Sequence, residues 1–227
     1  VAYAVFPPDT FVLSYNTFDS TSVFATQKYG YGSDVNMLQA KDAPAREGYT
    51  FKGWSSTFET MPARDTFVAA VYDINSYKLT LIDVDGSTIY ESTVEYGTQI
   101  DEPALDKEGY TCNGWLLNNQ TVTFPFSMPA EDVTFVADCE INTYVLAFKN
   151  DIDGEIIYKV EAKYGTPFDE NDVDEPKKTG YTFDGWDHEI PTAIPAANDT
   201  FYAKWIVDSY EVTFMKDEDE IISSRIY

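Results

Sequence analysis

The sequence of 227 residues has few of the side chains that usually carry chemistry, with two cysteines and a single histidine, His188. It contains neither a Gly-x-Ser-x-Gly sequence nor a phosphate-binding loop, so no nucleophile or nucleotide site is indicated. His188 lies beside Asp187 and Glu189 in a predicted loop, and a dyad with Cys112 would need residues from different parts of the chain. We therefore expect no enzymatic activity and no cofactor.

Basic residues are also scarce. The chain has 15 Lys and Arg against 39 Asp and Glu, a formal net charge of −24. Charge of this sign repels phosphate backbones and anionic lipid headgroups. No run of residues approaches the roughly eighteen apolar residues of a membrane span, and nothing after Val1 is typical of a signal peptide. We expect no nucleic-acid partner and no direct membrane insertion.

The most prominent feature of the sequence is an internal repeat. A seven-residue stretch, Gly-Tyr-Thr-Phe-x-Gly-Trp, occupies residues 48–54, returns with Cys for Phe at 109–115, and returns again at 180–186. Its alternating aromatic and β-branched side chains predict a strand with one buried face, and each Gly permits a bend. With one further Trp, these residues are expected to build the repeat cores: Gly48, Tyr49, Phe51, Gly53, Trp54, Gly109, Tyr110, Gly114, Trp115, Gly180, Tyr181, Phe183, Gly185, Trp186 and Trp205.

Other marks recur around this stretch in a fixed order. A Tyr-Gly pair precedes it at residues 29–30, 96–97 and 164–165, and a Met/Ile-Pro-Ala sequence follows at 61–63, 128–130 and 194–196. Asp-Thr-Phe-x-Ala comes next at 65–69 and 199–203, matched by Asp132 and residues 134–137. The aligned first strands begin at Phe11, Tyr77, Tyr144 and Tyr210, a period of about 66 residues.

This period predicts the domain organisation. Residues 10–75, 76–142 and 143–208 are repeats 1, 2 and 3, residues 1–9 end a preceding repeat, and residues 209–227 begin a following one. The sequence is thus expected to be a fragment. The joints between repeats are short and lack Gly and Pro, which predicts an elongated, stiff rod of modules. We also expect a monomer, since the strong negative charge discourages side-by-side association.

Each repeat is predicted to be a small α+β module dominated by strands. It opens with a hairpin, whose Asp/Gly turn falls at residues 83–86 in repeat 2 and at 151–154 in repeat 3. The polar segment after Tyr-Gly has room for one short helix, such as residues 34–39, and two further strands complete the module. We interpret the Asp-rich turns, and the acidic run 169–175, as hairpin and loop chemistry, with calcium binding as the alternative.

The order of these marks resembles the Listeria–Bacteroides repeat, the B-repeat type of internalin-like bacterial surface proteins. The resemblance covers all three repeats. It implies a β-grasp fold, similar to ubiquitin or SUMO, in tandem within secreted or wall-anchored proteins of the bacterial cell surface. In that family the repeats serve as stalks, spacers or adhesive segments, and no catalysis is implied.

The two cysteines depart from the motif within one repeat. Cys112 replaces the Phe of the seven-residue stretch, and Cys139 aligns with Val71 and with Trp205, where the motif has its closing Trp. If that Phe and Trp touch in repeat 3, repeat 2 has exchanged an apolar contact for a cysteine pair. We predict a Cys112–Cys139 disulfide and an oxidising, extracytoplasmic setting, with two buried free thiols as the alternative.

One feature does not recur. Residues 116–126 are an insertion in repeat 2 that is typical of an extra hairpin with an Asn-Asn turn. Its apolar residues are the candidate binding patch: Leu116, Leu117, Phe124 and Phe126. The favoured function is a structural stalk or spacer. The alternative is an adhesive module that binds a host protein or glycan through this insertion or through exposed edge strands.

Overall fold

The computed structural model describes residues 9–151, 154–216 and 221–227. These residues form two compact units. The first contains the described residues up to Pro103 together with Trp115–Ala137, and the second contains Ala104–Gly114 together with the described residues from Asp138 onward. The division passes through repeat 2. Across the described ranges, no helix is long and apolar enough to cross a membrane.

Repeat 1 is a four-stranded mixed sheet. Its strands are β1 (Thr10–Asn16), β2 (Val23–Gly30), β3 (Tyr49–Trp54) and β4 (Thr66–Ile74). They lie in the order β2-β1-β4-β3, in which the central pair β1 and β4 is parallel and the outer pairs are antiparallel. Alternate residues of β1 and β4 point into one core, so Leu13, Tyr15 and Val68 are fully buried.

Repeat 2 keeps this order and adds short strands. They are β5 (Ser76–Ile82), β6 (Thr88–Glu95), β7 (Gln99–Ile100), β8 (Tyr110–Leu117), β9 (Gln120–Thr121), β10 (Phe126–Ser127) and β11 (Val133–Ile141). The main sheet has the order β6-β5-β11-β8-β9, and β5 and β11 are parallel. A separate two-stranded sheet joins β7 to β10.

Repeat 3 returns to four strands. They are β12 (Thr143–Lys149), β13 (Ile156–Lys163), β14 (Tyr181–Trp186) and β15 (Asp199–Val207), in the order β13-β12-β15-β14 with β12 and β15 parallel. A last hairpin, β16 (Glu211–Met215) with β17 (Ile221–Ile226), stands where a further repeat was predicted to begin. Residues 1–8, 152–153 and 217–220 lie outside the described part, so the preceding strand and the turn at 151–154 are not described in full.

The predicted α+β class is wrong, and the described chain is all-β in small tandem domains. Its only described helical segments are two 3₁₀ turns of three residues, Ala40–Asp42 and Glu170–Asp172. The predicted helix at residues 34–39 is instead extended, because its backbone is already paired: Val35 N–H donates to Glu59 O at 2.9 Å. A six-residue helix cannot offset the cost of its own nucleation, so the pairing wins.

Another pairing recurs in all three repeats, and it corrects one of the sequence marks. In repeat 1 the N–H of Gly32 donates to Met61 O at 2.9 Å, so the pair equivalent to residues 96–97 and 164–165 is Tyr31-Gly32 and not residues 29–30. The N–H of Gly97 donates to Met128 O at 2.8 Å, and that of Gly165 donates to Ile194 O at 2.9 Å. Met128 and Ile194 are buried, with 1% and 2% of their surface exposed. The Met/Ile-Pro-Ala sequence therefore supplies a core residue in addition to a turn.

The alignment of the fourth strands needs a correction of one residue in repeat 1. In sequence, Asp-Thr-Phe at residues 65–67 matches residues 199–201. In the structure, Phe201 lies opposite Phe148, and the residue opposite the equivalent Tyr15 is Val68. Val68 and Phe201 are fully buried, whereas Phe67 is 60% exposed. Because side chains alternate between faces, a shift of one residue exchanges core and surface. Tyr72, and not Val71, is therefore equivalent to Trp205 and Cys139.

Candidate functional site: the joints between repeats

Asn75, at the joint between repeats 1 and 2, forms hydrogen bonds with both repeats. Its N–H donates to Gly48 O at 2.9 Å, and its side-chain oxygen accepts from the hydroxyl of Thr50 at 2.6 Å. Its carbonyl accepts the N–H of Tyr96, in the next repeat, at 2.9 Å. One residue thus fixes the start of a strand in its own repeat and the Tyr-Gly pair of the repeat that follows.

Asn142 makes the same contacts at the second joint. It donates to Gly109 O at 2.8 Å, accepts from the Thr111 hydroxyl at 2.8 Å and accepts the Tyr164 N–H at 2.9 Å. Asp208 stands at the third such position, where it contacts Gly180 and Thr182 in the same way. The recurrence shows that the joint is a built feature of each repeat.

In repeats 2 and 3, the Tyr of the Tyr-Gly pair packs on the first Gly of the seven-residue stretch in the preceding repeat. Gly48 has φ +75° and Gly109 has φ +77°, and a Cβ on either would overlap the ring of Tyr96 or Tyr164. These positions need Gly for two reasons, the left-handed backbone and the close approach of a ring. At Gly180 the backbone is the same, φ +78°, but within the described chain an added Cβ would meet nothing within 4 Å.

Rings and cations complete each joint. Tyr49 packs edge-on against Tyr96 at 5.9 Å between ring centroids. The guanidinium of Arg46 lies 3.6 Å from the centroid of the Tyr49 ring and 3.6 Å from that of Phe18. Lys107 and Lys178 stand three residues before the corresponding Tyr of repeats 2 and 3, at 5.1 and 4.6 Å from its ring. A cation over an aromatic face is a favourable contact that keeps part of the ring from water.

The end of the seven-residue stretch anchors the core of each repeat. Trp54 packs on Tyr15 at 4.8 Å and donates its indole N–H to Leu38 O at 2.8 Å. Trp115 is buried and donates to Pro103 O at 2.9 Å. Trp186 packs on Phe148 at 5.0 Å. The second Gly of the stretch bends the strand: Gly53, Gly114 and Gly185 all have positive φ.

A disulfide joins Cys112 to Cys139, as the sequence predicted, with an S–S distance of 2.04 Å. In repeat 3 the equivalent residues are Phe183 and Trp205, which pair across β14 and β15 with their rings 5.9 Å apart. In repeat 1 they are Phe51 and Tyr72, with rings 5.7 Å apart. Repeat 2 therefore carries a covalent cross-link where its neighbours carry an aromatic pair.

The inserted segment of repeat 2 is the predicted hairpin. Leu116 and Leu117 pair with Thr121 and Gln120, and the turn residues between them, Asn118 and Asn119, both have positive φ, as a type I′ turn requires. Of the candidate patch, Leu116 and Leu117 are half-buried. Phe124 and Phe126 are also half-buried, because each packs edge-on against the buried Phe135.

Comparison with known proteins matches these marks to one family. The Listeria-Bacteroides repeat domain matches residues 11–69, 77–138 and 144–204, most of the chain. The chain belongs to the Listeria–Bacteroides repeat family.

Relatives of these Listeria–Bacteroides repeats are longer proteins. The chain is 30% identical over 88% of its length to a putative Gly-rich membrane protein of Evansella cellulosilytica, and 32% identical over 70% to Internalin H of Listeria monocytogenes. It spans 25% and 29% of those two proteins. Among solved structures, domains 3–4 of Streptococcal High Identity Repeats in Tandem from a cell surface protein cover 58% of the chain at 16% identity. Those domains are covered to 98%, with a TM-score of 0.27.

The single histidine of the Listeria–Bacteroides repeats lies between two carboxylates of repeat 3. His188 Nδ1 is 2.8 Å from Asp187, Nε2 is 3.2 Å from Asp199, and the ring stacks on Phe201 at 4.3 Å. Desolvation alone would lower the pKa of His188, but the hydrogen bond to Asp199 and the charges of both carboxylates raise it above the ordinary value. Desolvation would raise the pKa of Asp187, but the Tyr202 N–H and His188 lower it.

The joint residues Asn75 and Asn142 were not predicted as site residues, although a signal was present. Each follows Ile and precedes Ser or Thr and then Tyr, and the Asn side chain carries a separate acceptor oxygen and a donor NH₂ group. That Tyr hydroxyl is 3.4 Å from Asn75 Nδ2 and 3.3 Å from Asn142 Nδ2. The sequence cannot show that the main chain of the same Asn also pairs with two different repeats.

Proposed function

We propose that this chain is a stalk or spacer segment of a bacterial cell-surface protein, positioned outside the cytoplasm and without catalytic activity. The observation that carries the proposal is the repeated joint, in which Asn75 and Asn142 each bond to both adjoining repeats. A spacer has to hold successive modules in a fixed orientation. The hydrogen bonds of the joint Asn, together with the packing of a Tyr ring on a Gly, can hold two repeats in this way. The disulfide supports an extracytoplasmic location.

Each repeat is, in this proposal, a β-grasp module whose helix has been reduced to a 3₁₀ turn or lost. The sheet order and the parallel central pair of repeats 1 and 3 support it, because a ubiquitin-like sheet places its first and last strands side by side in parallel. A structural role also agrees with the state of the reactive groups. Cys112 is held in a disulfide, and His188 is held between two carboxylates.

The test is whether the joint transmits orientation. In the 227-residue chain, ¹⁵N relaxation of repeats 1 and 2 should fit one common anisotropic tumbling. In a variant with Asn75→Ala and Tyr96→Ala, the two repeats should tumble with separate correlation times while each keeps its own dispersed amide spectrum. Independent tumbling of the unmodified repeats would remove the basis of the spacer proposal.

Adhesion to a host protein or glycan is the second candidate function. The structure of the inserted hairpin supports adhesion less strongly than the sequence of the hairpin does, because Phe124 and Phe126 pack inward on Phe135. Saturation binding of the whole chain to host glycans, mucins and matrix proteins at physiological salt tests this candidate. If a ligand binds and the affinity survives shortening of residues 116–126 to a tight turn, the hairpin is not the adhesive element.

A further inference from the structure

Repeat 2 leaves open a sheet face that its neighbours cover. On β12 and β13, Phe148 and Tyr158 lie opposite each other and pack against Phe168, at centroid distances of 5.9 and 6.3 Å. The equivalent pair in repeat 2 is Leu81 and Tyr90, which also lie opposite each other. Tyr90 is 51% exposed, whereas Tyr158 packs against the core of repeat 3.

The cause is the length of the segment after Tyr-Gly. Eleven residues lie between Gly97 and Gly109, against fifteen between Gly32 and Gly48 in repeat 1 and fourteen between Gly165 and Gly180 in repeat 3. The longer segments carry the 3₁₀ turns and lay apolar side chains over the sheet: Met37 and Leu38 in repeat 1, and Phe168 and Val173 in repeat 3. The short segment of repeat 2 has no 3₁₀ turn, and it presents Ile100 where repeat 3 has Phe168.

The result is a groove of about 500 Å³ on the β5–β6 face. Its lining is mainly apolar and includes Leu79, Leu81, Tyr90, Val94, Ile100 and Asp101. A volume of this size is within the range of ligand sites in proteins. It has few polar groups, which disfavours a saccharide, because sugar hydroxyls need several hydrogen-bond partners once they leave water.

The border of the groove is negatively charged. Asp101 lines the groove, and Glu102 beside it is also exposed. The net charge of −24 adds a long-range attraction for cations. An apolar floor with an acidic border suits a partner that has apolar side chains between basic ones.

We propose that this groove binds a peptide segment of another protein that carries two adjacent apolar side chains flanked by Lys or Arg. Repeat 1 shows how a peptide occupies such a face. Met37 and Leu38 pack on its core, and the N–H of Leu38 donates to the hydroxyl of Tyr15 at 3.2 Å. In repeat 2 this position is left for a peptide supplied from outside. The inference is independent of the spacer function.

The probe is a fluorescently labelled synthetic peptide with the sequence of residues 35–41, extended by two lysines at each end. Fluorescence anisotropy against the full chain should show saturable binding that weakens as salt is raised. A second peptide with serines in place of the Met and Leu keeps the charge and should show none. Equal binding of the two peptides would mean that charge alone attracts them, and the groove would not be a site.

Neighbouring residues of β6 supply matched variants of the protein. Tyr90, Ser92 and Val94 line the groove, whereas Thr93 lies between two of them in the regular part of the strand and is exposed on the opposite face. Tyr90→Lys should weaken binding by about tenfold or more, Asp101→Lys should weaken it and reduce its salt dependence, and Thr93→Lys should leave it unchanged. Equal effects of Thr93→Lys and Tyr90→Lys would overturn the proposal.

A second copy of the chain is the competing occupant. Sedimentation of the unmodified chain without peptide should show a monomer at concentrations where the peptide saturates. A dimer that Tyr90→Lys dissociates and Thr93→Lys does not would assign the groove to self-association and overturn the peptide proposal.

Discussion

The ring of Tyr96 lies over Gly48 so closely that no side chain could be added to the glycine. Two consecutive repeats meet at this contact, and the same contact joins Tyr164 to Gly109. In repeats 1 and 2, the first Gly of the seven-residue stretch therefore contacts the following repeat as well as shaping its own strand.

Substitution of Gly48 by Ala should destabilise repeat 1 more than Gly180→Ala destabilises repeat 3. Both variants place a Cβ in the left-handed region, at roughly 1–2 kcal/mol. Only Gly48→Ala also forces the Tyr96 ring to move, which should add about 1–3 kcal/mol. Urea unfolding followed repeat by repeat in NMR spectra measures the difference, because a multidomain chain does not unfold in one step. Equal losses would show that the Tyr96 ring moves freely.

The Cys112–Cys139 disulfide should stabilise repeat 2 by about 3–4 kcal/mol, because it closes a loop with a sequence separation of 27 residues. The double variant with alanine at both positions should lose this stability and become insensitive to reductant. A double variant with Cys112→Phe and Cys139→Trp, which copies repeat 3, should recover about 0.5–1.5 kcal/mol relative to the alanine pair. If reduction leaves the unfolding of repeat 2 unchanged, the cross-link has no stabilising role.

Asn75→Ala should destabilise the first joint by about 1–2 kcal/mol, since it removes the acceptor of the Thr50 hydroxyl and leaves that group to water. Asn75→Asp keeps the acceptor, as Asp208 does in repeat 3, and should lose less. Amide exchange at Tyr96, whose N–H donates to the carbonyl of Asn75, is the local measurement. Faster exchange in the alanine variant than in the aspartate variant is the expected order.

Repeat 3 should become slightly less stable as pH rises above about 6.5. The folded-state pKa of His188 is raised above its unfolded value near 6.5, so its contribution is fully present below about pH 6.5 and is lost as pH rises through the folded pKa. The change should be small, because 41% of the His188 side chain is exposed. Thermal unfolding of repeat 3 between pH 5.5 and 8.5 measures it. His188→Gln should remove the slope, and an unchanged slope would assign it to other groups.

The sequence predicted most of the strands because they carry alternating apolar residues and recur with a fixed period. It also predicted the disulfide and the Asn-Asn hairpin, because both depart from a repeat that is otherwise regular. These predictions depend on local patterns, which a comparison of the three repeats makes visible.

Two predictions failed for reasons that local patterns do not contain. The helix at residues 34–39 is absent because Glu59 and Thr60, in a distant loop, pair with Val35 and Asp34 of that segment. Val71 aligns with Trp205 in sequence because the flanking sequences are similar. The burial of Val68 instead sets the register of this strand, one residue away from that alignment. The docking of Tyr96 on Gly48 was not predicted, since nothing within either repeat indicates that the two residues meet.

The disulfide also limits how far the chain can extend under tension. Cys112 and Cys139 lie on neighbouring strands with Cα atoms 4.0 Å apart, and the chain between them is shielded from a pulling force. Unfolding of repeat 2 should therefore release about 90 Å less contour length than its residue count allows, while repeats 1 and 3 extend in full. If the chain were pulled as part of a tether, repeat 2 would extend least of the three repeats on unfolding, and reduction of its disulfide would allow it to extend in full.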